Sequence, residues 1–309
     1  MQEPEDGVSL KAFQSEDADD LPEAIRRADK IAAEVKRWLL AQYAGLKRKI
    51  SMPELERAIR SGYQEQVYEA LHLRELIGDL KPGATERLKT TYMTGATVGA
   101  AALRRVGIGL IRFDHLDPHA VQWASRNAGR WVTEVDASQR DAVRVLVTRA
   151  QQFGRTVDQV ARDLRDVVGL HSRQVAAVEK FRARLEAREL DRDEIERRVG
   201  RYADTQLRAR MEMIARTEVV SAGNAGQQGA WQEAVREGLL DRKTAYRKWL
   251  ATHDDLLDTV ICEEMDGKEV PLDEPWKLPN GEEIQLPQEA HPNCRCSEGL
   301  VIKAAEGEP

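Results

Sequence analysis

The chain has 309 residues, 32% of them charged and 5% aromatic, with a formal net charge of −6. Seven of its 53 acids but only one of its 47 bases, Lys11, fall in residues 1–20, so the rest of the chain is electrically balanced. A balanced body argues against a dedicated DNA-binding domain with a basic face, and the length suggests two domains or one large domain with appendages.

Residues 1–20 read as an acidic, disordered tail that could dock on a basic partner. No basic and then apolar run follows Met1, and the longest apolar stretch, Met93 to Ile111, is interrupted by Arg104-Arg105. A soluble protein made in a cytoplasm, without a membrane partner, is expected. After the tail, Leu21-Pro22-Glu23 opens a helix with Ile25, Ala28, Ile31, Ala32, Val35, Trp38 and Leu39 at three- and four-residue spacing. Ser51 or Met52, followed by Pro53 and Glu54, starts a second helix that runs through Leu55, Ile59, Tyr63, Val67 and Leu71 towards Gly78. Pro82-Gly83 is a break. The small residues from Thr94 to Ala102 fit either a helix packed closely on a neighbour or a loop.

Asp117-Pro118 starts a helix carrying Val121, Trp123, Ala124, Ala128 and Trp131, and Asp136 starts another that ends at Phe153-Gly154. Thr156 caps a helix with Val160, Leu164 and Val167 in its core, and Gly169 stops it. His171-Ser172 leads into the next. A long helix follows from Asp191 to Arg216-Thr217-Glu218, and the small residues Ser221 to Gly226 weaken it while allowing close approach. From about Tyr246 the periodicity stops, five prolines appear between Pro271 and Pro292, and short runs at 247–250, 268–270, 283–286 and 300–302 read as strands. The expected fold class is mainly α: a multi-helix body with a small C-terminal α+β, β-rich cap holding a Cys/His cluster. The expected divisions are a tail at 1–20, helical regions at 21–116 and 117–240, the cap at 241–303, and a short tail at 304–309.

All three cysteines of the chain lie in the cap. Cys262, His291, Cys294 and Cys296 together supply the four thiolate and imidazole ligands that a tetrahedral zinc site requires. Turn signals at Asp266-Gly267 and Asn280-Gly281 can fold the segment back on itself. A cap so poor in aliphatic residues needs a staple, which is the physical case for a metal. The same residues also admit a metal-free structural cluster or a redox role. His253 is an alternative ligand, and Asp255 and Asp266 are candidate partners for the second nitrogen of His291, although Asp266 beside Gly267 reads first as a turn residue.

Several short motifs occur in order: Ile214-Ala215-Arg216-Thr217-Glu218, then Asn224 and Gly226, Trp249, Asp255, Met265-Asp266-Gly267, and His291-Pro292-Asn293-Cys294-Arg295-Cys296. In this order and at these spacings, residues from about 117 to 302 resemble the phage head morphogenesis family, the minor capsid proteins similar to the Mu F protein. The chain departs from that pattern before the Asp-Gly turn. Thr259 stands where the first cysteine of a C-x-x-C would be, Cys262 where the second cysteine or a histidine would be, and Leu257 where an arginine is often found. The resemblance implies a structural minor head protein of a tailed bacteriophage or prophage, acting in prohead assembly at or near the portal vertex. Its implied partners are the portal protein, other capsid and prohead proteins, and packaged DNA. Its implied location is the virion head, with the host cytoplasm as the place of assembly. Zinc is the implied metal, with no catalytic residue.

Two other functional classes make different demands on the sequence. A metal-dependent enzyme, a hydrolase or toxin-like domain packaged in the head or acting on it, needs an open metal position and an acid or base beside it; no H-x-E, H-E-x-x-H, G-x-S-x-G or P-loop pattern occurs. A DNA-contacting internal head protein needs a basic patch, for which residues 182–216 are the richest source of arginine. Arg216 and Glu218, two apart, point to different sides of a helix and could reach the cap to fix its angle.

Overall fold

The computed structural model describes residues 13–109, 117–152, 154–253 and 257–304, with side chains from Arg27 onward except Gln151. Asp255, one of the motif residues, lies outside them. Among the described residues the chain is mainly helical: α1 (Phe13–Lys49), α2 (Met52–Ser61), α3 (Gln64–Ala70), α4 (Leu73–Arg105), α5 (Pro118–Gln152), α6 (Val157–Val167), α7 (Ser172–Glu186), α8 (Arg192–Arg236) and the short α9 (Cys262–Met265). Five strands complete it: β1 (Ala245–Leu250), β2 (Glu269–Pro271), β3 (Trp276–Lys277), β4 (Glu283–Ile284) and β5 (Ser297–Ile302). The expected fold class is the one observed.

The chain divides into two compact units. Unit 1 comprises residues 1–32, 94–113 and 216–309, and unit 2 comprises residues 33–93 and 114–215. Each is therefore assembled from segments far apart in sequence.

Unit 2 is all helical. Thr156 makes a full capping box with Gln159 at the start of α6, and His171 does the same with Gln174 at the start of α7. Gly169, at φ 94°, stops α6; its main chain holds the side chain of Gln139, and Leu207 and Tyr43 crowd the place where a Cβ would be. Behind these caps the buried residues Leu39, Leu55, Leu71, Leu80, Leu146, Leu164 and Leu170 form the core.

Four expectations for the helices need correction. The helix read as continuous from Ser51 to Gly78 is broken at Gly62 (φ 74°) and His72 (φ 52°), giving α2, α3 and the start of α4. Pro82-Gly83 does not break the chain but lies inside α4. Gly83 is needed there because a Cβ would stand 2.5 Å from the Trp38 ring, and burial of Leu80, Ala84 and Leu88 outweighs the lost backbone bond. Asp136 starts no helix; it sits within α5, where its carboxylate takes the hydroxyl of Tyr68 and the guanidinium of Arg140. Finally, α1 begins at Phe13, inside the expected tail. Acids at the amino end of a helix are favoured by its dipole, so a composition that suits a solvated tail also suits a helix start.

In unit 1 the small-residue stretch is helical and does pack closely. A Cβ on Gly95 would stand 2.0 Å from the Gly223 carbonyl oxygen, and one on Gly99 2.6 Å from that of Gln227. The glycines of α4 and α8 thus let two backbones touch. Trp231 of α8 donates its indole N–H to the Gly99 carbonyl at 3.2 Å. Trp231 also joins Leu103, Ala234, Leu240, Ala245, Leu272 and Leu300 in a buried cluster that ties the end of α8 to the sheet. That sheet has the order β2-β1-β5, with both pairings antiparallel, and β3 pairs with β4.

Candidate metal centre

The centre is assembled around β1. Residues 245, 247 and 249 alternate towards the interior, as a half-buried strand requires. Beyond the loop that follows β1, Asp258 accepts the N–H groups of Val260 and Ile261, both at 2.9 Å, and so starts the single turn of α9 with Cys262 at its head. The Asp266-Gly267 turn, with Gly267 at φ 76°, returns the chain to β1, where Gly267 N–H binds the Trp249 carbonyl at 2.9 Å. The same main-chain path carries Ala251 N–H to Asp266 Oδ1 at 2.9 Å. On the other edge, β5 pairs with β1 so that Ser297 faces Leu250, bringing Cys294 and Cys296 to the end of β1.

Cys262, Cys294 and Cys296 are buried, and their sulfurs lie within 4.8 Å of one another. The Cys262 and Cys294 sulfurs are 3.8 Å apart. Bonds of about 2.3 Å from a tetrahedral metal to sulfur imply an S–S edge of about 3.8 Å. His291 Nε2 is 3.0 Å from Cys262 Sγ. Its Nδ1 lies 3.0 Å from the Pro292 carbonyl, which can only accept, so Nδ1 donates there and Nε2 is the ring nitrogen turned towards the thiols. The three thiols therefore meet as one group, and His291 approaches it from the side of Cys262. Trp249, Ala251, Met265, Trp276 and Leu278 encase the sulfurs in an apolar shell.

Electrostatics favour one thiolate in this set. Cys296 is held well below the usual thiol range by hydrogen bonds from Cys262 and Cys294, helped by the main chain at Thr252 and the indole of Trp249. That indole N–H is buried and has no conventional acceptor, so an anionic sulfur is its natural counterpart. Cys294 is pushed up by its bonds to Cys262 and Cys296 and by burial. Cys262 is also raised: the bond with Cys294 lowers it, but Cys296 and burial outweigh that. Backbone groups at Asp258, Cys296 and Thr252 favour the anionic forms of Cys262, Cys294 and Cys296 respectively. Each sulfur thus has a main-chain group that stabilises it as a thiolate, the form that binds metal.

The other motif residues form a joint around the centre. Asn293, at φ 66°, donates its N–H to Thr217 Oγ1 at 3.2 Å, and its side-chain oxygen lies 3.5 Å from Arg216 Nη1. Asn224 donates to Gln288 Oε1 at 2.8 Å and to the Cys296 carbonyl at 3.0 Å, and accepts from Ser297 Oγ at 3.1 Å. Arg295 binds Asp29 of α1 at 2.9 Å. Gly226 is buried on α8 beside Asn224, Pro292 supplies the carbonyl for His291, and Glu218 is half-buried on α8. The expected reach of α8 to the cap thus runs through Thr217 and Asn224, with Arg216 contributing a long contact.

Asp266 acts as the turn residue that its place beside Gly267 implies, and His253 is its partner. Asp266 does not support His291; its free oxygen is 3.0 Å from Nε2 of His253. His253 is held by that pair at the surface, away from the thiol group, whereas His291 touches Cys262.

The sequence reading missed the polar heart of the cap. Arg247 and Glu298 form a completely buried ion pair at 2.6 Å. Glu298 also accepts the Trp276 indole N–H at 2.7 Å, while Arg247 reaches the carbonyls of Gln285 and Glu274. Glu298 sits diagonally from Arg247 across β1 and β5, the reach expected of long cross-strand side chains. The signal available was the strict alternation of Ala245, Arg247 and Trp249, which puts an arginine on the same face as a buried tryptophan.

Comparison of the chain with protein-family models, with curated proteins and with solved structures returns no match.

Proposed function

We propose that this chain is a structural minor head protein of a tailed bacteriophage or prophage, acting in prohead assembly at or near the portal vertex. We further propose that its cap is stapled by a zinc ion held by Cys262, His291, Cys294 and Cys296. The observation that carries the reading is convergence. Residues that define the family resemblance, spread from Arg216 to Cys296, meet at one joint: Thr217 and Asn224 on α8, Trp249 on β1, and the His291–Cys296 loop. A motif whose members assemble into one joint is a unit of architecture rather than a coincidence of composition.

Zinc suits the donor set. Three thiolates and one imidazole are soft and borderline ligands, and four of them close a tetrahedron with no position left for substrate. A closed site serves structure, which favours the assembly role over the enzyme. When bound, zinc would link the segments that carry Cys262 and Cys294. The test is quantitative peptide mass spectrometry on proheads and virions of the phage that encodes the chain, with zinc analysis of the purified protein. A few copies per particle and about one zinc per chain support the reading; absence from both particles overturns the head assignment.

One observation favours a second role, contact with packaged DNA. In residues 182–216, the region first expected to supply a patch, Arg182 and Arg210 are buried, and Arg192, Arg197 and Arg198 have carboxylate partners. Exposed bases remain at Arg201 and Arg208 on α8, and a longer row of them runs along α7. Arg173, Lys180 and Arg184, with Arg188 just past its end, are seven, four and four residues apart and form no ion pair among the described residues. Such spacing puts them on one side of the helix, where they can follow a phosphate backbone. Retention on duplex DNA that falls steeply with salt, and flattens when these four are changed to Gln, would support this role.

A further inference from the structure

The loop from His291 to Cys296 does two jobs with alternating residues. His291, Cys294 and Cys296 turn inward to the candidate centre. The residues between them turn outward: Asn293 to Thr217 on α8, and Arg295 to Asp29 on α1. Further contacts come from the ligand residues themselves, since the Cys296 carbonyl accepts from Asn224, and from Thr252, whose hydroxyl binds the Arg295 carbonyl at 2.8 Å. The loop therefore cannot rearrange its inner face without moving its outer face. Its backbone turns at Asn293, which holds a left-handed conformation that asparagine accepts more readily than other side chains do.

We infer that the metal centre is a latch for the amino-terminal helix: metal bound by the inner face of this loop fixes Arg295, and Arg295 clasps α1 at Asp29. The inference rests on the zinc reading above and adds a consequence to it. With the metal in place the loop has one conformation, and the Arg295 guanidinium, only 16% exposed, is presented ready for the carboxylate. Without metal, three buried thiols and an imidazole lose their common partner. The loop then samples other conformations, and Arg295 must be ordered again each time it grips α1. The ion pair by itself is modest because Asp29 is half-exposed; its strength comes from how well the loop is held. Metal occupancy would thereby set how firmly residues 27–32 of α1 are held in unit 1, coupling a chemical signal, the availability of a thiophilic cation, to the order of that segment.

The test is hydrogen exchange on the full-length protein, read at residues 27–32 of α1 and at 291–296, with zinc content measured on the same samples. Removing zinc with a chelator should raise exchange in both segments, and adding zinc back should restore protection. Arg295→Met keeps the apolar stem and every ligand. It should retain its zinc and protection at 291–296, while exchange at 27–32 rises roughly three- to five-fold, the scale of a partly exposed ion pair. Asp29→Asn should copy that effect from the other side. If chelation removes the zinc and frees the loop but leaves residues 27–32 as protected as before, the latch is wrong and the metal centre stands. If the protein neither carries nor takes up zinc, the metal reading falls and the coupling falls with it, even if Arg295→Met still loosens α1.

Discussion

The cap of unit 1 and the α6–α7 region of unit 2 both bury charge, and they solve the problem differently. In the cap, one arginine meets one carboxylate, and Glu298 also accepts the Trp276 indole. In unit 2, Arg155 and Arg182 hold Asp163, Glu179 and Glu196, which makes three carboxylates for two guanidiniums. The surplus negative charge explains why the partners shift in ways that at first sight conflict. Burial drives the Asp163 carboxyl up to about 6 although Arg182 and Arg155 oppose it, and Glu179 and Glu196 add repulsion. Arg182, despite burial, is held above its ordinary range by Glu196 and Asp163. The arginines gain from every anion present, whereas the carboxylates also repel one another. The cap is thus a balanced site that tolerates no loss, and the helical site is an unbalanced one that a proton can relieve.

If the cap is stapled by zinc as proposed, removing the metal breaks the comparison most severely. A chelator, or Cys294→Ser, should unfold the cap and leave the helices of unit 2 intact, because their core contains none of the ligands. Structural zinc sites in small modules contribute about 10 kcal/mol of apparent binding energy, so a cap stapled this way should lose most of its stability. Trp249 and Trp276 stack edge to face at 5.3 Å inside the cap and will report the change in fluorescence. Far-ultraviolet dichroism should barely move. Unchanged fluorescence and melting after zinc removal would sink the staple.

Next in size is the buried pair. Removing one member of such a pair costs about 3–5 kcal/mol, because the other is left charged in a dry interior. The two deletions should differ. Glu298, whose carboxyl burial already pushes up, can take a proton when Arg247→Met removes its partner. A guanidinium keeps its charge, so Glu298→Leu should cost more than Arg247→Met. The gap should widen on acidification, because protonating Glu298 rescues only the Arg247→Met variant. Equal costs at pH 5 and pH 8 in denaturant titrations would mean that water reaches the pair.

The unbalanced site makes a pH prediction of opposite character. Asp163 titrates near 6 in the folded chain and near 4 when unfolded. Between those values the native state binds a proton that the unfolded state has lost, so stability falls as pH rises from about 4 to about 6 and is then level. Up to about 3 kcal/mol is involved. Glu196 is lowered and acts in the other direction, but only below the ordinary carboxylate range. Asp166 and Glu298 are raised by burial and add to the slope in the wild type. The difference between wild type and Asp163→Asn isolates Asp163: the variant should show a flatter profile between pH 4 and 6.

What could be read in the sequence follows the same division. Features set by local chemistry were visible. The Thr156 cap, the Gly169 stop, the strand run at 247–250 and the cluster of three cysteines all depend on neighbours in the chain or on residue type. Features set by a distant partner were not. Pro82-Gly83 reads as a break until Trp38 is seen lying against Gly83. Arg247 reads as a surface strand residue until Glu298, 51 positions on, is placed beside it. Asn293 and Arg295 are legible as members of a motif, and only the fold shows that they grip α8 and α1.

The smallest effect comes from glycines, and it separates packing from conformation. Gly95 and Gly78 both lie inside α4, and neither has a positive φ. In both, alanine gains about 1 kcal/mol of helix propensity. At Gly78 nothing lies within 4 Å of a new Cβ, so Gly78→Ala should stabilise by nearly that amount. At Gly95 the Cβ would meet the carbonyl oxygen, carbon and Cα of Gly223, all main chain and all within 3 Å. Backbone cannot swing aside as a side chain can, so α4 and α8 must separate, at a cost of about 1–3 kcal/mol that exceeds the propensity gain. Thermal melts of the two single variants should therefore move in opposite directions. If Gly95→Ala melts higher than wild type, the helices are not in contact at that point, and the small-residue stretch has no packing role.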